Sequence, residues 1–322
     1  MSYEELSAQV EVAGLKKRTY WHYLIYFLLV LIGTCASLYF LTLTDALYLQ
    51  LLNAVFFAFV LVQAGMLGHD LSHQQVFESK RLNDACGIIV WCLFGGLSAG
   101  GWYDKHNAHH KYVNHEGLDP DLGIPFIFSD VQIENKSAFV KKYIQPHQHW
   151  LFFVLLPFVY PNFVLWTFKR ILTSISLVNI IELLLIVVHF AVLFYISFHF
   201  LPVGVALVFL ITFSLTVGAY MGIVFAPNHK GEEVVEDEGP ATWLHQITLT
   251  RNLYPSWYGF YFFGGLDLQV EHHLFPSVSR FNYPKIHTIV KAYCKEHNIR
   301  YYETTWFNSM REIYLSLKEH AR

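Results

Sequence analysis

ILTSISLVNIIELLLIVVHFAVLFYISFHFLPVGVALVFLITFSLTVGAYMGIVFAPNH, residues 171–229, contains neither lysine nor arginine. A membrane-crossing helix needs about 20 apolar residues, so a gap of this length holds two crossings and a turn. A second gap of the same kind separates Arg18 from Lys80. Together they predict spans at 21–42, 46–67, 180–201 and 203–226, with turns at Thr42–Asp45 and Pro202–Gly204. The expected fold is an all-α integral membrane protein built on four transmembrane helices in two hairpins. All 22 Lys and Arg residues then fall on one side. Positive loops stay cytoplasmic, so both termini and the segments 1–20, 68–179 and 227–322 are expected in the cytosol, in a single domain.

The composition agrees. Hydrophobic residues make up 54% and charged residues 15%, against about 25% charge in a soluble domain. The 28 Phe and 20 Tyr suit membrane interfaces, where a ring body sits in lipid and its polar tip stays wet. A net charge of −3 gives no electrostatic basis for nucleic-acid binding. Cys35, Cys86, Cys92 and Cys294 form no Cys-x-x-Cys pair, so neither a disulfide framework nor a thiolate metal site is expected. Acidic residues precede the basic cluster of the N-terminus, so no removable signal is expected, and Ser2 and Glu5 have capping-box spacing.

Two shorter apolar stretches, Gly87–Gly101 and Leu151–Phe168, are interrupted by Gly or Pro. A single crossing by either would put the next basic loop on the wrong side, so both are expected to be interfacial or re-entrant. Pro284–His297 and Thr304–Ala321 have amphipathic spacing, the latter with Thr304 as N-cap. A cytosolic helical cap results.

Three clusters stand out: His69-Asp70-Leu71-Ser72-His73, His106-Asn107-Ala108-His109-His110 and Gln269-Val270-Glu271-His272-His273. They concentrate 7 of the 18 histidines in 15 of 322 residues, which chance does not produce. Helix positions i, i+3 and i+4 share a face, so each cluster directs two or three side chains to one point. The first follows a span and the others lie in cytosolic segments, which lets three helix ends converge just outside the lipid. A structural zinc takes four ligands and usually recruits Cys. Seven imidazoles exceed one tetrahedral ion and suit two ions with open positions. Two redox metals beside an apolar cavity suit oxygen chemistry on a lipid. Asp70, Asp104, Asp119, Asp121 and Glu271 are candidates to orient imidazoles, solvated loop acids or helix caps being the alternative for Asp119 and Asp121. His115, His147, His149, His189 and His245 stay unassigned.

At these residues the sequence resembles the membrane fatty acid desaturases, with their HDxxH, HxxHH and QxxHH boxes. The third box with its continuation, Gln269–Pro276, is similar to the front-end group. The resemblance implies two iron ions held by His69, His73, His106, His109, His110, His272 and His273, with His229 after the last span as a further ligand. Gln269 stands where other members have His, implying a weak, water-mediated or supporting role. It also implies dioxygen as co-substrate and a fatty-acyl chain on coenzyme A, a carrier protein or a membrane lipid. Ser72 stands where many front-end enzymes have Gly, so double-bond position is not carried over. Their fused haem domain has a His-Pro-Gly-Gly motif that is absent here. A separate donor such as a ferredoxin or small haem protein is therefore expected, with no bound haem or flavin. The expected site is a bacterial inner membrane or the endoplasmic reticulum.

Two other readings compete. A hydroxylase would use the same irons and return oxygen to the substrate. A metal transporter would place polar groups near the bilayer midplane, where the spans offer only Asp45, Glu182 and His189.

Overall fold

The computed structural model describes residues 1–174, 176–236 and 239–321, the side chain of Asp130 excepted. In chain order the helices are α1 (Tyr3–Val12), α2 (Tyr20–Phe40), α3 (Leu47–Ser72), α4 (Lys80–Ile88), α5 (Ala99–Lys111), α6 (Asp130–Glu134), α7 (Ala138–Tyr143), α8 (Gln148–Leu155) and α9 (Val159–Thr173). They continue as α10 (Leu177–Phe200), α11 (Val203–Phe225), α12 (Trp243–Thr248), α13 (Trp257–Phe262), α14 (Gln269–Leu274), α15 (Tyr283–Glu296) and α16 (Trp306–Glu319). Two short strands, β1 (Arg251–Leu253) and β2 (Tyr302–Thr304), pair in parallel. Among the described residues the protein is mostly helical, with five helical stretches long and apolar enough to cross a membrane.

The chain divides into two compact units. The first comprises Arg18–Asp104 and Pro157–Gly222 and contains most of the apolar helix. In it α2 packs along α3, drawn together where Gly33 meets Val60. A Cβ on Gly33 would lie 2.8 Å from Val60 Cγ2, so only Gly lets the backbones approach this closely. Hydrogen bonds add to the packing. Ser37 Oγ donates to Asn53 Oδ1 at 2.7 Å and Asn53 Nδ2 returns to Ser37 O at 3.2 Å. Gln63 accepts from Tyr26 Oη at 2.5 Å and donates to Tyr220 Oη at 2.7 Å, tying α2, α3 and α11. Such bonds average about 0.6 kcal/mol between membrane helices.

The observed ends of α2, α10 and α11 fall within a few residues of the expected spans. Helix α3 differs. It continues to Ser72, five residues beyond the expected end at residue 67, and carries the first histidine cluster on its own last turn. Hydropathy falls there, yet the side chains are buried within the unit, so nothing ends the helix. The stretch Gly87–Gly101 is bent. Helix α4 runs into a π-helix, Ile89–Phe94, and α5 leaves at 111°. Gly96 turns the chain at φ +66°, where a side chain would be strained. His189, midway along α10, donates from Nδ1 to Leu93 O at 3.0 Å and holds the bend. This is the ordinary account of a histidine within a span.

The stretch containing Leu151–Phe168 belongs to a longer helical run than its sequence suggests. Residues 138–173 form a helical path long and apolar enough to count as a fifth candidate span. Pro146 and Pro157 break it into pieces joined by 3₁₀ turns, and those breaks made each piece look too short in sequence.

The second unit comprises Met1–Lys17, Lys105–Leu156 and Ile223–Arg322. Its core joins Leu6 and Val10 of α1 to Ile247, Val270, Leu274, Ile286, Val290 and Tyr293. Ser2 caps α1 by accepting from Glu5 N at 3.3 Å. Helix α16 begins one residue later than expected, with Thr305 as N-cap, because Thr304 is the last residue of β2 and pairs with Leu253. The small sheet corrects the all-α expectation only locally. Among the described residues all four cysteines are free.

Candidate metal centre

Within the second unit, α5 supplies His106, His109 and His110, α14 supplies Gln269, His272 and His273, and the turn after α11 supplies His229. The i, i+3, i+4 spacing on α5 and α14 works as expected. The rings of His110 and His273 stack at 4.2 Å, and His109 lies 4.7 Å from His229 and 5.2 Å from His273. The facing nitrogens of His109, His229 and His273 lie within 4.8 Å of one another. Beside them, His110 Nε2 lies 3.1 Å from His106 Nε2 and 2.9 Å from His272 Nε2.

The outer nitrogens reveal the protonation. His109 Nδ1 lies 3.0 Å from both Asp119 oxygens, which only accept, so the proton is on Nδ1. His273 Nδ1 donates to Gln246 Oε1 at 2.7 Å, and Gln246 Nε2 donates to His110 O at 2.7 Å, which fixes that amide. Tyr283 Oη donates to Phe275 O at 3.5 Å and accepts from His272 Nδ1 at 3.3 Å. Thr250 Oγ1 lies 3.4 Å from His229 Nδ1. A neutral imidazole with its proton outward presents a lone pair inward. Inward lone pairs this close repel unless a cation lies among them, and outer-nitrogen bonds of this kind orient metal-binding histidines. The donor set fits a cation.

Burial lowers the basicity of His273 and His229, whereas Asp119 and Asp121 raise that of His109 against its burial. His273 sits well below the ordinary histidine pKa through burial and its neighbours His110, His229, His109 and His272. His229 is held well below it by burial and by His109, against the pull of Asp121. Both are therefore neutral and able to bind metal at pH 7.

Gln269 points its amide nitrogen at His229 Nε2, 3.0 Å away, and His273 Nε2, 3.3 Å away. Half a turn of that amide would present its oxygen, the atom through which an amide binds a cation.

The acidic candidates divide. Asp119 is buried and also accepts from Asn114 N at 2.8 Å and Asp121 N at 2.9 Å, so it is a fixed partner of His109. Asp121 pairs with Lys105. Glu271 turns away from the imidazoles, accepting from Asn252 Nδ2 and Tyr301 Oη, each at 2.7 Å. It anchors α14 to β1, where Asn252 Oδ1 also accepts from Val270 N. Asn114 ties the segment before Asp119 to the backbone of His229. Asp119→Asn should weaken metal binding about 10–100-fold in a chelator competition, with little change in melting temperature; unchanged affinity would remove Asp119 from this role.

In the first unit, His69 and His73 lie at the end of α3, their rings 4.7 Å apart, and Asp70 Oδ1 is 3.3 Å from His69 Nδ1. Asp104 does not orient a histidine. It is solvent-facing and bonds Arg170 at 2.9 Å, because Arg170 also reaches toward buried Glu182. Glu182, the acid within a span, accepts from Ser98 Oγ at 2.5 Å and Gly100 N at 2.8 Å at the start of α5.

The unassigned histidines have local roles. His115 donates from Nδ1 to Val113 O, His245 completes a capping box with Thr242, and His149 packs on Tyr314. His147 ends a 3₁₀ turn and packs on Trp150. Gln246, Tyr283 and Thr250 carried no signal in the sequence, since each meets its imidazole only through the fold.

Asp267, two residues before Gln269, is buried with neither carboxylate oxygen bonded to a partner. Burial pushes its pKa from 3.8 up to about 7. The folded state then holds a proton between those values that the unfolded chain releases, so stability falls as pH rises through that window. Relative to Asp267→Asn, the parent should lose on the order of 4 kcal/mol between pH 4 and pH 7. Paired denaturation curves that stay parallel across this range would rule the effect out.

The family model described as "Fatty acid desaturase" matches residues 46–305. An acyl-lipid (9-3)-desaturase of Physcomitrium patens is 31% identical over 84% of this chain and 53% of its own length. A Delta(8)-fatty-acid desaturase of Euglena gracilis is 29% identical over 82% of this chain and 65% of its own. A Delta(6)-fatty-acid desaturase of Caenorhabditis elegans is 30% identical over 99% of this chain and 75% of its own. The chain thus spans only about half to two thirds of the length of the first two relatives. The matched region runs from before the first histidine cluster to beyond the third, and the chain belongs to the fatty acid desaturase family.

Proposed function

We propose that the chain is an oxygen-dependent fatty-acyl desaturase with two iron ions. The reading is carried by the inward-facing imidazoles of α5, α14 and His229, whose outer nitrogens are held by Asp119, Gln246, Tyr283 and Thr250. His109, His229 and His273 hold one ion, with Gln269 beside it. His106, His110 and His272 serve the other, and the family resemblance implies His69 and His73 as further iron ligands.

When bound, the irons supply the oxidising power to break unactivated C–H bonds, which side-chain acid–base chemistry lacks. The reaction balances as follows. Two adjacent methylenes each give up one hydrogen, leaving a C=C bond. A donor supplies two further electrons with two protons, and dioxygen is reduced to two waters. The protein's share is to fix the imidazoles, present one pair of carbons and exclude water. The donor is a separate ferredoxin or small haem protein, and the substrate is a fatty-acyl chain on coenzyme A, a carrier protein or a lipid.

We further propose that α2–α3 and α10–α11 are the two crossing hairpins and that the region of α7–α9 lies along the interface. The distribution of Lys and Arg supports this, and with it a cytosolic location of both termini and the metal centre.

The test is expression in a host with a suitable donor, followed by mass analysis of the fatty acids. Products two mass units lighter than a host fatty acid support the reading. Products that gain an oxygen instead would make the protein a hydroxylase.

A further inference from the structure

The first unit contains an apolar pocket of about 500 Å³ that the metal centre does not use. Its walls are Tyr23 and Phe27 of α2, Leu71 of α3, Phe77 in the following loop, Cys86 of α4 and Val90 of the π-helix. The volume is within the range of small-molecule sites, about 300–1,000 Å³. Tyr23 Oη is committed to Gln75 Oε1 at 2.9 Å, and no charged side chain lines the cavity. Only hydrocarbon matches such a wall. The exposed lining side chains are Tyr20, Trp21 and Leu24 of α2 and Ile89 of the π-helix, Trp21 to 75%, so the pocket opens between them. Tyr and Trp at the start of a span sit at headgroup level, so the opening faces lipid.

The position of the pocket separates it from the reacting chain. Leu67 and Leu71 both line it and lie one turn apart on α3. His69 stands two residues from each, about 200° around the helix. The histidine and the pocket thus occupy opposite faces of α3, and a chain in the pocket has the helix between itself and His69.

We propose that this pocket holds one hydrocarbon chain of a bilayer phospholipid, a site distinct from the one where an acyl chain is desaturated. Moving a chain from lipid into an apolar wall yields no hydrophobic gain. Occupancy therefore depends on packing against Phe27 and Phe77, and filling the pocket with protein should remove it.

The test uses full-length protein in nanodiscs of phosphatidylcholine bearing a diazirine on one acyl chain. After irradiation, adducts are mapped by peptide mass spectrometry. Labelling at Phe27, Phe77 and Cys86 should exceed that at the exposed α10 residues Leu184 and Val188 several-fold. Cys86→Trp should reduce it to the α10 level while leaving iron content and double-bond position unchanged. Ile89→Trp fills the same pocket if the first variant does not fold. Equal labelling of pocket and α10, or labelling that persists in a folded filled variant, would reduce the site to ordinary lipid contact. A change in double-bond position or chain-length preference in Cys86→Trp would make the reacting chain the occupant and overturn the proposal. Labelling needs no turnover, so occupancy of the pocket by a lipid chain is read even in a protein without desaturase activity.

Discussion

Alanine at His273 is expected to abolish desaturation and to remove about half of the bound iron, and alanine at His106 to do the same through the other ion. Each histidine belongs to a different group of inward-facing nitrogens, His273 with His109 and His229, His106 with His110 and His272. Loss of one imidazole leaves an ion with too few donors, and a single iron does not support the two-ion chemistry. The outer partners sharpen the expectation. In His273→Ala, Gln246 loses the group it orients but keeps its bond to His110 O, so α5 should stay in place and the second set should retain its metal. Activity is read from product formation and iron from elemental analysis of the purified variants. Full iron and full turnover in either variant would show that its histidine is not a ligand.

The second large effect is expected at Arg251, which is 1% exposed on β1. Its guanidinium donates from Nε to Pro227 O at 2.5 Å and to Lys230 O, on either side of His229. The same group bonds Glu232 at 3.1 Å and Glu312 at 2.8 Å. Removing one partner of a buried ion pair costs about 3–5 kcal/mol because the other charge is left stranded. Arg251→Met should therefore lose about that much stability and free the turn that presents His229. Iron should fall first in the set containing His229. Urea unfolding with iron analysis checks both parts, and a loss under about 1 kcal/mol would show that Glu232 and Glu312 find other partners, as Arg300 offers Glu232.

How far the sequence revealed the molecule depends on whether a feature is local. Long apolar helices follow from runs of apolar residues and from gaps in positive charge, so α2, α10 and α11 were legible within a few residues. The clusters on α5 and α14 were legible because helical spacing alone puts their side chains on one face. The same spacing made His69 and His73 legible as a helical pair, but not that they share one unbroken helix with the preceding span. Polar residues normally mark the end of a span, and here only tertiary burial keeps the helix going. The partners of the imidazoles were hidden for the same reason. Gln246 is 27 residues from His273 and joins it only once α12 packs against α14. Asp119, ten residues from His109, was recognisable as a candidate but not distinguishable from a loop acid. Asp104 had the same local signal and instead pairs with Arg170 across the fold.

The central claim is that the histidine clusters hold two iron ions. Anomalous diffraction at the iron edge, from crystals of protein purified without oxygen, addresses it directly. Two iron peaks are expected, one among His109, His229 and His273 and the other at His106, His110 and His272. One four-coordinate ion, or zinc in place of iron at both positions, would contradict it.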